Sequence, residues 1–133
     1  MGKGELVLAA LLLCAATLAG APANATETTT CEGDGASISM LMGAMPVVSI
    51  AKVDMEAGTR KWSTEKAEGS TLIAVGQSFE TETGLDVHLM DAELTEVIAQ
   101  LRVVKASEGD FYAAGGTLLI SGVGAWAVSC NGP

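Results

Sequence analysis

Two cysteines constrain this chain more than any other feature. Of its three, Cys14 lies inside an N-terminal apolar run, which leaves Cys31 and Cys130 about 100 residues apart at the two ends of the remaining chain. Two lone cysteines so far apart make a poor zinc site, because structural zinc takes four ligands offered at short spacings. A disulfide is the expected state. On the chain-entropy model, closing so long a loop contributes about 4–5 kcal/mol, a large share of a small domain's stability. Cys130 ends the run Gly115-Gly-Thr-Leu-Leu-Ile-Ser-Gly-Val-Gly-Ala-Trp-Ala-Val-Ser-Cys130, which reads as two strands around a tight turn at Ser121-Gly122-Val123-Gly124. The bridge would therefore tie the first strand to the last.

A disulfide persists only outside the reducing cytosol, and the N-terminus agrees. Residues 1–25 read as a secretory signal peptide: Lys3 gives the positive start, Leu6 through Leu18 the apolar run, and Ala23-Asn24-Ala25 the small-residue cleavage site. The apolar run is shorter than the roughly 20 residues a membrane span needs, and Gly20 and Pro22 end it. Leu13 stands before Cys14 where a lipid anchor would need a small residue. The expectation is a periplasmic or secreted chain from about Thr26, with no membrane span after cleavage. Residues 26–133 amount to one domain, large enough to bury about two thirds of its unfolded surface.

The net charge is −9, and Lys3 and Glu5 cancel, so cleavage leaves it unchanged. An acidic surface repels nucleic acid and anionic headgroups, which excludes both as natural partners. A protein partner in the cell envelope remains.

Strand signals dominate. In Ser37-Ile-Ser-Met-Leu-Met42 the side chains alternate with period two, and residues 47–55 form a second extended run after Gly43 and Pro46. Residues 56–70 lack apolar periodicity and read as a long loop or a loose hairpin tip. Residues 71–79 form a strand with Gly76 as a bulge, and residues 85–90 a strand with Leu85, Val87 and Leu89 inward. Leu94, Val97, Ile98, Leu101 and Val104 fit a helical stripe that Asp91 would cap, whereas the β-branched content favours a strand. The expectation is a short helix over residues 91–95, then a strand over 96–105 and a loop over 107–114. Together these give a mainly β fold, a small antiparallel sandwich or barrel closed by one disulfide.

Catalytic chemistry finds little here, and a non-enzyme is expected. His88 is the only histidine, so every Ser-His-Asp or Cys-His arrangement would have to run through it. The chain lacks Gly-x-Ser-x-Gly, the phosphate-binding Gly-x-x-x-x-Gly-Lys and His-Glu-x-x-His.

Two binding constellations stand out. The first is a copper set: Met40, Met42 and Met45 cluster, and His88-Leu-Met90 puts an imidazole and a thioether on one strand face. Thioethers are soft ligands that select Cu(I), and the cluster with a His-x-Met pair resembles secreted copper carriers, though their second histidine is missing. The other reading makes Met40 and Met42 core fillers. The second constellation is Trp62, flanked by Arg60 and Lys61 in a polar stretch, a pattern typical of contact hot spots; the other reading folds Trp62 back to cap the sheet. Trp126 shares a strand face with Val128 and Cys130 and is expected to pack against the disulfide.

In build, a small exported β domain with one long-range bridge resembles periplasmic lysozyme inhibitors, without the Ser-Ala-Ser-Gly-Ala loop that marks that group. The resemblance implies an inhibitor of a basic hydrolase. The favoured expectation is a non-enzymatic binding or interaction module with no cofactor, whose contact surface surrounds Trp62, Arg60 and Lys61.

Overall fold

The computed structural model describes residues 26–43 and 47–132. Residues 1–25, expected as a signal peptide, and Met45 lie outside the described residues.

Among the described residues nine strands succeed one another: β1 (Thr26–Glu32), β2 (Ala36–Gly43), β3 (Ser49–Ala57), β4 (Arg60–Ser63), β5 (Thr71–Thr81), β6 (Gly84–Asp91), β7 (Val97–Glu108), β8 (Phe111–Ile120) and β9 (Gly124–Asn131). They close in sequence order into a barrel, with β9 returning to β1. All neighbours run antiparallel except β4 and β5, which are parallel.

Period-two alternation sets the interior. On β2, Ala36, Ile38, Met40 and Met42 are buried; on β6, Leu85, Val87 and Leu89; on β7, Ala99, Leu101 and Val103. Met55, Val53, Leu118 and Ile120 complete a filled core. Charged residues such as Asp54, Glu56, Asp86 and Arg102 take the outward positions. An apolar interior with a charged exterior is the reverse of the alternation that lipid-spanning barrels show. No helix among the described residues is long and apolar enough to cross a membrane.

Two seams divide the wall into a four-stranded and a five-stranded antiparallel sheet. One is the β4–β5 pairing, which consists of Trp62 with Thr71 and Ser63 with Leu72. The other is β1–β9, where Thr30, Cys31 and Glu32 pair with Asn131, Cys130 and Ser129. Cys31 and Cys130 are disulfide-bonded across this second seam, so the covalent tie lies where the ladder is short.

Three sequence expectations change. The stretch 56–70 contains β4, because Trp62 turns inward and Ser63 is buried with its Oγ donating to Asp54 Oδ1 at 2.7 Å. The exit from β4 is pinned: Thr64 N donates to Val53 O, Val53 N donates to Thr64 Oγ1, and Lys52 Nζ meets Glu65 Oε2 at 3.0 Å. A four-residue strand is only about 13 Å long, so the short segment 64–70 suffices to climb back and start β5 in parallel.

The helix expected over residues 91–95 does not form. Those residues make a turn in which Leu94 adopts φ 60° and Asp91 Oδ1 accepts from Thr95 N and Glu96 N. Thr95 Oγ1 donates to the other carboxylate oxygen. Asp91 therefore caps a turn. Residues 107–114, expected as a loop, are the paired ends of β7 and β8 around a two-residue turn at Gly109 and Asp110. Gly109 supplies the positive φ, 59°, that such a hairpin turn requires.

Candidate functional site

Trp62 is not an exposed hot spot. It lies on the inward face of β4, 9% exposed and opposite Met55, while its neighbours Arg60 and Lys61 stay in solvent. Lys61 Nζ pairs with Glu56 Oε1 at 3.3 Å. The structure thus separates the three residues: Trp62 packs, Lys61 pairs on the outer wall, and Arg60 reaches the barrel rim. What surrounds them is a concavity of about 400 Å3 at the end of the barrel where β4 and β5 begin. Trp62, Leu72, Ile98, Ile120 and Val123 give it apolar walls, and Arg60, Asp91 and Glu93 stand at the rim.

The copper set is dispersed. Met40 is fully buried inside the barrel and Met42 nearly so. His88 occupies an outward position on β6, between the inward Val87 and Leu89. Its Nε2 lies 2.9 Å from Gln100 Nε2 and 3.3 Å from Asp86 Oδ1, and Arg102 Nε lies 3.7 Å from Asp86 Oδ2. Met90 lies on the same outer side, over Gly76 in the β5 bulge. The barrel wall therefore stands between Met40 and His88, and one metal ion cannot take both. Among the described residues, no group of three or more His, Cys, Asp or Glu side chains is placed to hold a metal.

The surface that stands out chemically is at the other end of the barrel, and sequence reasoning missed it. Of the five aromatic residues, Trp62 and Trp126 pack against the core. The other three are exposed: Phe111 by 81%, Phe79 by 61% and Tyr112 by 49%. Phe111 and Tyr112 begin β8, in a ribbon where residues 106–108 and 111–114 pair only with each other among the described strands. The ribbon overhangs the barrel because β6 ends its pairing at Gly84 opposite Val104, and β9 leaves β8 at Ser129 to pair with β1.

On the outer face of this overhang, Val104 is 70% exposed in a trough between Gly84 and Gly115, with Ala106, Ala113 and Phe111 extending it towards the tip. The opposite face carries Tyr112 beside Ser107, and Lys105, whose Nζ meets Glu80 Oε2 at 3.4 Å. Residues 111–116 carry no charge, in a chain of net charge −9. The signal available in the sequence is Gly109-Asp110 between two β-rich runs, a hairpin turn with an aromatic pair directly after it.

Comparison with family models, with curated proteins and with solved structures finds no match for this chain.

Proposed function

We propose that this is an exported, non-enzymatic binding module that engages a protein partner through the β7–β8 overhang. The observation that carries the reading is the exposure of Phe111 and Tyr112 on a β8 edge without a partner strand over residues 111–114 among the described residues. Aromatic residues are enriched where proteins meet, because they bury large area at small entropic cost. An unpaired edge offers main-chain donors and acceptors to an extended segment of another protein. A two-stranded ribbon is marginal alone, so docking a third strand would order it as well as bury it.

Charge narrows the partner. A molecule of net charge −9 attracts a basic protein and speeds its encounter, and the uncharged β8 edge over residues 111–114 lets a strand dock there without desolvating an ion of that edge. A basic hydrolase in the cell envelope fits this description, which keeps inhibition of such an enzyme as one form the binding can take. Export is supported by the signal-like residues 1–25 and by a disulfide compatible with an oxidising compartment.

The test is affinity capture from the envelope fraction of the exporting cell with purified protein and a Phe111→Ser/Tyr112→Ser variant. Both positions are exposed, so the fold is expected to survive. A partner retained by the first and lost by the second supports the reading; identical retention, or none, refutes it. Lysozyme activity measured with both proteins then distinguishes inhibition from simple binding.

A further inference from the structure

We infer that the concavity around Trp62 is a separate binding site for a small apolar carboxylate, with Arg60 holding the acid group. It lies at the opposite end of the barrel from the overhang and is independent of the protein-binding reading.

Its size, about 400 Å3, falls within the range of small-molecule sites, roughly 300–1,000 Å3. It exists because β4 and β5 meet over only two residue pairs, which leaves the barrel mouth open between them and the turns after β6 and β8. Trp62 and Ile120 form a buried floor, and Ile98, Val123 and Leu72 flank it. An apolar chain suits this lining.

The head group is set by the rim. Among the described residues Lys52, Lys61, Arg102 and Lys105 each meet a carboxylate, and Arg60 does not. Lys66 also lacks such a partner, but it sits in the exposed 64–70 segment outside the cavity lining. Fifteen acidic residues accompany six basic ones in residues 26–133, so a guanidinium left without an acid is notable at the mouth of an apolar pocket. Asp91, across the rim, spends its oxygens on Thr95 and Glu96, and Glu93 is exposed to water. A planar guanidinium matches a carboxylate with two parallel hydrogen bonds.

The probes are decanoate, decanol and decyltrimethylammonium, titrated calorimetrically into the purified protein. Decanoate is expected to bind saturably at one equivalent and more tightly than either of the others. Arg60→Ala should weaken decanoate about 10–100-fold, as loss of a charge-assisted hydrogen-bond pair does, and leave decanol unchanged. Arg60→Lys should recover part of the loss. Ala92→Trp, which fills the cavity from an exposed turn, should abolish binding of all probes. Absence of saturable decanoate binding, tighter binding of the ammonium probe, insensitivity to Arg60→Ala, or insensitivity to Ala92→Trp would each overturn the assignment.

Discussion

Cys31 and Cys130 stand directly opposite each other in the β1–β9 ladder and are joined there by a disulfide. That ladder is three residue pairs long, whereas β7 and β8 pair over ten. Covalent closure thus makes up for hydrogen bonds that the seam lacks.

The first consequence is thermodynamic. The bridge spans a sequence separation of 99 residues, for which the chain-entropy model gives about 4–5 kcal/mol. Urea unfolding of the Cys31→Ser/Cys130→Ser variant should show a loss of that order, and reduction of the native protein should produce the same loss. A change below about 1 kcal/mol would mean that the hydrogen-bonded wall closes without help.

A second prediction concerns Met40. It is fully buried in the core that holds Ile38, Met55 and Leu101, so Met40→Ala should cost about 2–5 kcal/mol through lost packing and a cavity. The cost should be the same with Cu(I) or with a copper chelator, because His88 lies outside the wall. A stability difference that appears only with copper would revive the metal reading.

Gly116 tests how closely β7 and β8 approach. A Cβ at this position would collide with the Arg102 carbonyl oxygen, which is backbone and has no rotamer to yield. Gly116→Ala should destabilise by about 1–3 kcal/mol, as overpacking does, although alanine is otherwise tolerated in strands. Chemical denaturation against wild type measures it.

The β6–β7 turn should respond to acid. The Thr95 hydroxyl, together with the weaker pull of the Glu96 N–H, holds the Asp91 carboxyl below its ordinary value of 3.8. A depressed folded-state value stabilises the fold above the unfolded value and loses that stabilisation as pH falls through the folded one. The Tm of Asp91→Asn should therefore lie below wild type at neutral pH, and the gap should close as pH drops below about 3.8. A gap independent of pH would assign the turn's stability to something other than the ionised carboxylate.

How much of this is legible from residues alone depends on burial. Where one strand face is buried, as with Leu85, Val87 and Leu89, the alternation shows both the strand and its orientation. The disulfide is legible because two cysteines stand at the ends. Trp62 misleads because β4 is only four residues long and buries Ser63 beside it, so period two has no room to show. The helical stripe over residues 94–104 mixes Leu101 and Ile98, which meet the core, with Leu94, Val97 and Val104, which are exposed and answer to no core. The overhang reads as a loop for the same reason. Residues 106–113 have no buried face, so no apolar alternation records that they are paired.

The most direct test of binding at the overhang is photo-crosslinking in the source cell, with benzoylphenylalanine placed at position 111, 97 or 119. Val97 and Leu119 are exposed apolar positions elsewhere on the barrel, outside the cavity lining, so they control for nonspecific capture. The expected result is one discrete crosslinked product from position 111 and none from the other two. No product from 111, or equal products from all three, would contradict a partner that docks on β8.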